Sequence, residues 1–249
     1  MSLAKTLSPK TVLAALALAG AGTALVAPAA AIAGTVVASS GPSAGKYPVG
    51  KKLADTARIT LKAGDKVTVL TSKGTRVISG AGTHVVGARG GSRASTFAAL
   101  TRSNSRARAR TGAVRSGKPA SSAPRASLWS VSVAQAGTVC LPQSGGRVNL
   151  VRPAGEGQAT YNIASSGSAA HTHVTFEDGE TMKALDTTIM PISAGMDYTI
   201  SGPNGGSPVT VNFTMLDEVS RNPEDLASAL IANGCTGQLE LLSNAMMTS

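Results

Sequence analysis

Short stretches in which apolar and polar residues alternate, separated by turns rich in glycine, constrain the fold of this 249-residue chain more than any other feature. In residues 57–62 every second side chain is apolar, which is the pattern of a half-buried strand. Residues 196–200 and 209–215 repeat it on either side of the turn 201–206, which predicts a β-hairpin. The sequence therefore predicts a mainly β protein.

Changes in composition divide the chain into regions. Residues 47–88 predict a small N-terminal β-module of four or so strands. Residues 89–126 consist mostly of Arg, Ser, Gly, Ala and Pro, which cannot bury enough apolar surface to offset chain entropy, so they predict a disordered basic linker. Alternation returns in residues 127–249, and its seven or eight short strands predict a β-sandwich-like domain.

One helix is predicted near the end of the C-terminal domain. Asn222 is a suitable N-cap, Pro223 suits the first helical position, and Gly234 is placed to end the helix. The leucines of residues 239–242 indicate one more element, which their spacing leaves open as a strand or a helix.

The charges of the chain are strongly segregated. No acidic residue lies between Asp65 and Glu156, and that interval holds fourteen Lys and Arg. Eleven acidic residues follow from Glu156 onward, with only Lys183 and Arg221 as bases. The sequence thus joins a basic half to an acidic half.

The arginines of the linker are the strongest interaction signal. We select five as candidate polyanion-binding residues, because guanidinium groups pair with phosphates and carboxylates: Arg102, Arg106, Arg108, Arg110 and Arg115. Base-stacking aromatics are not interleaved with them, so no specific nucleic acid is expected. The expected partners are anionic lipid headgroups at a membrane surface, acidic envelope polysaccharide or the acidic half of the chain itself. A solvated linker that binds nothing is the alternative.

The first 33 residues have the order of a secretory signal peptide. Lys5 and Lys10 precede an uncharged run rich in Ala and Leu, and the small residues Ala31 and Ala33 stand just before Gly34. Cleavage there would leave residues 34–46, which are small and polar, as a flexible mature N-terminus. An uncleaved inner-membrane anchor, with the domains facing the periplasm, is the alternative.

The chain contains two cysteines, Cys140 and Cys235. An exported chain enters an oxidising compartment, so the sequence predicts a disulfide between them. Two buried free thiols are the alternative.

The β-module also carries a resemblance. Residues 51–86, with glycine turns between apolar pairs, as at Gly64-Asp65, resemble FecR-type periplasmic β domains and exported proteins of alphaproteobacteria. The resemblance implies an exported location and an all-β fold, and it implies no functional residues.

Two patterns in the sequence are typical of sites of chemistry. His171 and His173 would project from one face of a strand, as metal ligands do, with acidic residues 177–180 in the following turn. Solvent-facing polar side chains are the alternative. Residues 41–45 match the G-x-S-x-G pattern around Ser43, but we interpret them as a flexible terminus because the expected strand and helix around the serine are not predicted.

Together these patterns favour an exported cell-envelope protein, periplasmic or secreted, that binds or scaffolds envelope proteins or anionic envelope polymers without catalysing a reaction. Polyanion or anionic-lipid binding through the linker is the first alternative, and a metal-dependent enzyme using His171 and His173 is the second. No cofactor is expected, and the sequence does not define an oligomeric state.

Overall fold

A computed structural model describes residues 32–87, 94–102, 127–143, 148–153, 157–203 and 207–247. Within those ranges the chain forms fourteen β-strands and three α-helices, which confirms the prediction of a mainly β fold. The predicted signal segment lies outside the described residues up to residue 31. The predicted linker 89–126 is described only at 94–102.

Six strands build the N-terminal module: β1 (Ile32–Ser40), β2 (Lys52–Ala54), β3 (Arg58–Leu61), β4 (Lys66–Thr71), β5 (Gly74–Ser79) and β6 (Gly82–Val85). Four of them form an antiparallel sheet in the order β2-β1-β4-β5, and β3 pairs with β6. Apolar side chains from both sheets form one cluster: Val36, Leu53, Ile59, Leu61, Val67, Val69, Ile78 and Val86.

Strand β1 occupies much of the segment 34–46, for which the sequence predicted flexibility; that prediction is wrong. The strand pairs with β2 on one side and β4 on the other, so it lies inside the sheet. Gly34 sits so close to β4 that a Cβ added there would lie 2.7 Å from Cγ1 of Val69. The small residues that suggested a flexible chain instead allow close approach between strands.

Eight strands build the C-terminal part: β7 (Ser130–Ser132), β8 (Gly137–Pro142), β9 (Asn149–Val151), β10 (Ala159–Ser165), β11 (His171–Phe176), β12 (Met182–Ala184), β13 (Asp197–Ser201) and β14 (Val209–Leu216). One sheet has the order β11-β10-β13-β14-β8 and the other the order β12-β9-β7. Side chains from both sheets contribute to one hydrophobic core, as a sandwich requires.

The predicted hairpin is present as β13 and β14, which pair antiparallel from Asp197 opposite Asn212 to Ile200 opposite Val209. Two pairings were not predicted. Strand β8 runs parallel to β14, and β7 runs parallel to β9. Parallel neighbours need a connection that crosses over between them, and alternation within single strands does not encode it.

The described residues contain three α-helices, of which the sequence predicted one and left a second open: α1 (Ala94–Leu100), α2 (Pro223–Ala232) and α3 (Thr236–Ala245). Helix α2 is the predicted one, and the Asn222 side chain accepts a hydrogen bond from the Glu224 N–H as expected of an N-cap. Residues 239–242, which the sequence left open as a strand or a helix, lie in helix α3. Helix α1 falls inside the predicted linker, and its Phe97 is buried in the C-terminal core.

The N-terminal module contacts the C-terminal helices directly. The backbone N–H of Ser72 donates to Glu224 Oε1 over 2.6 Å, and the N–H of Thr75 donates to the carbonyl of Met246 over 2.7 Å. Leu70 of β4 belongs to the same buried cluster as the core of the sandwich. None of the helices in the described ranges is long and apolar enough to cross a membrane.

Candidate functional site

Cys140 on β8 and Cys235 before α3 form a disulfide, as predicted. Their Cα atoms are 5.9 Å apart, and both residues are fully buried. The bond joins positions 95 residues apart, so it fastens the C-terminal helix to an early strand of the sandwich.

Gln238, one turn into α3, adds a second connection at the same place. Its Oε1 accepts from the Cys140 N–H over 2.6 Å, and its Nε2 donates to the carbonyls of Leu128 and Cys140 over 2.7 and 2.8 Å. Strand β8 is an outer strand of its sheet, so the glutamine side chain satisfies backbone groups that another strand would otherwise pair. The role of Gln238 could not be predicted from the sequence, because a lone glutamine in a helix gives no signal of its partners.

A second buried polar residue organises the acidic turn 177–180. Arg152 donates from Nε to the carbonyl of Glu180, from one terminal nitrogen to Gly157 and from the other to Glu177, over 2.6 to 2.7 Å. Its guanidinium also stacks 5.1 Å from the Phe176 ring centre. In the sequence, Arg152 is marked only as one of the bases of the basic half.

The acidic turn is occupied by its own contacts. Glu180 accepts from the Glu177 N–H and from Lys183, and the first of these bonds is the main reason that its pKa lies below the ordinary value. The turn follows β11 at Phe176, whereas His171 opens that strand, about 17 Å away at the usual rise per strand residue. The acidic turn and the two histidines therefore do not share a site.

His171 and His173 project together from β11, as the sequence predicted. Both are exposed, whereas Val174 and Phe176 of the same strand are buried on the core side. Their ring centres are 5.7 Å apart and the rings are nearly perpendicular. Within the described ranges no group of three His, Cys, Asp or Glu residues is arranged to hold a metal ion.

Arg102 is the described member of the five candidate arginines; Arg106, Arg108, Arg110 and Arg115 lie outside the described residues. It lines a groove of about 600 Å³ between α1 and the segment that leads into α2. Phe97, Val219 and Pro223 give the groove an apolar lining, and Arg221 lies on it as well. Neither arginine forms an ion pair with a carboxylate of the described residues.

The sequence predicted that Ser43 lies in a flexible terminus, and that prediction is wrong. Residues 41–45 follow β1 and lead into a 3-10 turn, Ala44–Lys46, and Ser43 is buried. Burial raises the pKa of Asp65, but hydrogen bonds from Ser43 and from the Lys62 N–H outweigh it, so that the pKa lies below its ordinary value. The backbone N–H of Ser43 donates to Asp65 Oδ1 over 2.8 Å, so this contact fastens the turn to the carboxylate.

No protein-family model, curated protein or solved structure matches this chain. The resemblance of residues 51–86 to FecR-type domains therefore stays a prediction. The class that the structure defines is a mainly β, disulfide-linked protein in which a small β-module packs against a helix-bearing sandwich.

Proposed function

We propose that the protein is exported and acts in the cell envelope, in the periplasm or outside the cell, as a non-catalytic binding or scaffolding protein. The observation that carries the proposal is the buried disulfide between Cys140 and Cys235, because such bonds persist in oxidising compartments and are rare in the cytosol. The signal-like order of the first 33 residues agrees with it.

The surface of the sandwich supports a binding role. The outward-facing side chains of the five-stranded sheet are short and polar on several neighbouring strands, including Thr160, Asn162, Thr175, Asp197 and Asn212. Several of them are held in place by one another: Thr160 and Thr175 hydroxyls are 2.9 Å apart, and Asn212 donates to Asp197 over 3.0 Å. Because these hydrogen bonds already order the side chains, less conformational freedom is lost when this face contacts a partner.

The location is tested by mass spectrometry on protein isolated from its native cells. We expect a chain that begins at Gly34 and takes up no alkylating reagent until it is reduced. A chain that keeps its first residues and two reactive thiols would contradict export. The binding role is tested by crosslinking in the intact envelope, where a chain that captures no reproducible partner would contradict it.

Polyanion binding is the second candidate function, and the groove with Arg102 and Arg221 favours it. Two guanidinium groups without a described carboxylate partner can pair with phosphate or carboxylate groups of a lipid or polysaccharide. Retention on anionic vesicles should fall when Arg221 is changed to Gln and remain when the exposed Arg58 of β3 is changed to Gln. Equal losses in both variants would indicate net charge rather than a groove.

The arginines beyond Arg102 need a separate variant. Deletion of the whole predicted linker would also remove α1, whose Phe97 belongs to the core. Replacement of Arg106, Arg108 and Arg110 by Gln preserves that helix and removes three charges. If pull-downs from envelope extract persist in high salt with this variant, the linker is not the binding element.

A further inference from the structure

The outer face of the edge strand β11 carries the strongest unassigned chemistry in the described residues. His171 and His173 stand on that face, and β11 is the outermost strand of the five-stranded sheet. Two histidines can share one metal ion only if the distance between their ring centres allows a nitrogen of each ring to bind it. An imidazole nitrogen binds Zn²⁺ at about 2.0–2.1 Å, which puts the ring centre about 3.2 Å from the metal ion.

Two such rings at a tetrahedral angle would have centres about 5.2 Å apart. The observed separation of 5.7 Å is close to that value, so the spacing of the two rings is compatible with one shared ion. The exposure of both residues leaves room for an ion and for water ligands.

One ring nitrogen of His171 is hydrogen-bonded to the backbone, as is usual for a histidine that binds a metal ion. Its Nδ1 lies 3.2 Å from the carbonyl oxygen of Ala169, and a carbonyl can only accept, so Nδ1 carries the proton. In the neutral ring, Nε2 then has the lone pair that a metal ion needs. A hydrogen bond to the other ring nitrogen also fixes the orientation of a ligating imidazole.

A candidate third ligand lies on the neighbouring strand. Asn162 of β10 is directly opposite His173, and side chains so placed have Cβ atoms about 4.5–5.5 Å apart. Asn162 Oδ1 is buried and has no hydrogen-bond partner among the described residues, which is unusual for a buried acceptor. A cation beside His173 would satisfy this oxygen.

We propose that His171, His173 and Asn162 Oδ1 form a binding site for a divalent transition-metal ion of the Zn²⁺ or Cu²⁺ class, completed by water. Imidazole nitrogen selects these ions over Mg²⁺ and Ca²⁺, which prefer oxygen ligands. The site does not depend on the proposed envelope function, and it requires no reaction at the metal.

The test uses the full chain without an affinity tag and titrates it with ZnCl₂ and with CuCl₂ in a buffer that does not chelate. We expect one ion per chain, at least tenfold weaker binding in His171→Asn and in His173→Asn, and unchanged binding in His84→Asn. His84, the third histidine, is the matched control because it lies on β6 of the N-terminal module. In the Cu²⁺ complex, electron paramagnetic resonance should show two nitrogen ligands.

Asn162 has its own pair of variants. Asn162→Asp should bind the ion several-fold more tightly because it replaces an amide oxygen with a carboxylate, and Asn162→Leu should bind it several-fold more weakly. Circular dichroism establishes that each variant is folded. One ion per two chains, unchanged binding in the His171→Asn variant, or equal losses in all three histidine variants would overturn the site. Unchanged binding in both Asn162 variants would overturn the third ligand.

Discussion

The hydrogen bonds that Gln238 forms with Cys140 and Leu128 allow a quantitative prediction about the stability of the fold. Changing Gln238 to Ala leaves the N–H of Cys140 and the carbonyls of Cys140 and Leu128 without their partner in a buried place. Each buried backbone group left unpaired costs roughly 1–3 kcal/mol. Because each carbonyl has a second lone pair and some water will enter, the lower part of this range applies, and three groups give a loss of about 3–4 kcal/mol.

Changing Gln238 to Glu separates the hydrogen bonds from the volume of the side chain. A carboxylate can still accept from the Cys140 N–H but cannot donate to either carbonyl. Its oxygen would face those carbonyls, so the pKa of the introduced group in the folded protein rises above its unfolded value. Stability is then highest below the unfolded pKa and is lost as the pH rises through the folded pKa. The variant should therefore be less stable at pH 7 than at pH 4 relative to the original chain.

The assay is urea unfolding at constant temperature with the disulfide intact, which intact mass verifies for each variant. The control is Gln135→Ala, because Gln135 is exposed, so its loss should change the free energy of unfolding by less than about 0.5 kcal/mol. If Gln238→Ala is as stable as this control, the three hydrogen bonds do not hold the helix to the sheet.

Arg152→Met should lower the free energy of unfolding by about 3 kcal/mol in urea, because three carbonyls lose a charged donor; a loss below 1 kcal/mol would contradict this. Burial raises the pKa of Glu224 above the ordinary glutamate pKa of 4.5, so the contribution of this group to stability is lost as the pH rises above 4.5. Glu224→Gln can still accept from the Ser72 N–H, so the variant should gain stability relative to the original chain between pH 4 and pH 8. A stability difference that stays constant over this pH range would contradict the raised pKa. Replacing Cys140 and Cys235 by Ser should lower the free energy of unfolding by about 4.7 kcal/mol relative to the oxidised chain in the same assay. The reduced original chain should lose a similar amount, and a variant as stable as the oxidised chain would contradict the prediction.

The features that the sequence predicted are those whose physical cause is local. The β13–β14 hairpin follows from strict alternation around a glycine-rich turn, and the start of α2 follows from the capping oxygen of Asn222. The disulfide was predictable because a chain with only Cys140 and Cys235 offers a single pairing. Each of these inferences needs no knowledge of what lies elsewhere in the fold.

The features that the sequence did not predict depend on partners far along the chain. Residues 34–40 form an inner strand only because β2 and β4 flank them, and their small side chains look the same in a loop. Phe97 makes α1 part of the core, although the composition around it is that of a linker. Parallel pairing of β8 with β14 likewise depends on a crossover that no local pattern specifies.

The candidate metal site combines one feature that the sequence predicts with another that depends on residues elsewhere in the fold. The alternation of β11 placed His171 and His173 on one face from sequence alone, because that relation spans two residues. The oxygen of Asn162 could not be added, since its place opposite His173 depends on the register between β10 and β11. A shift of that register by one residue would turn Asn162 toward the core and replace it with a neighbour that has no suitable oxygen, such as Ile163. The histidines therefore supply the type of ligand, and the sheet register decides whether they have a third.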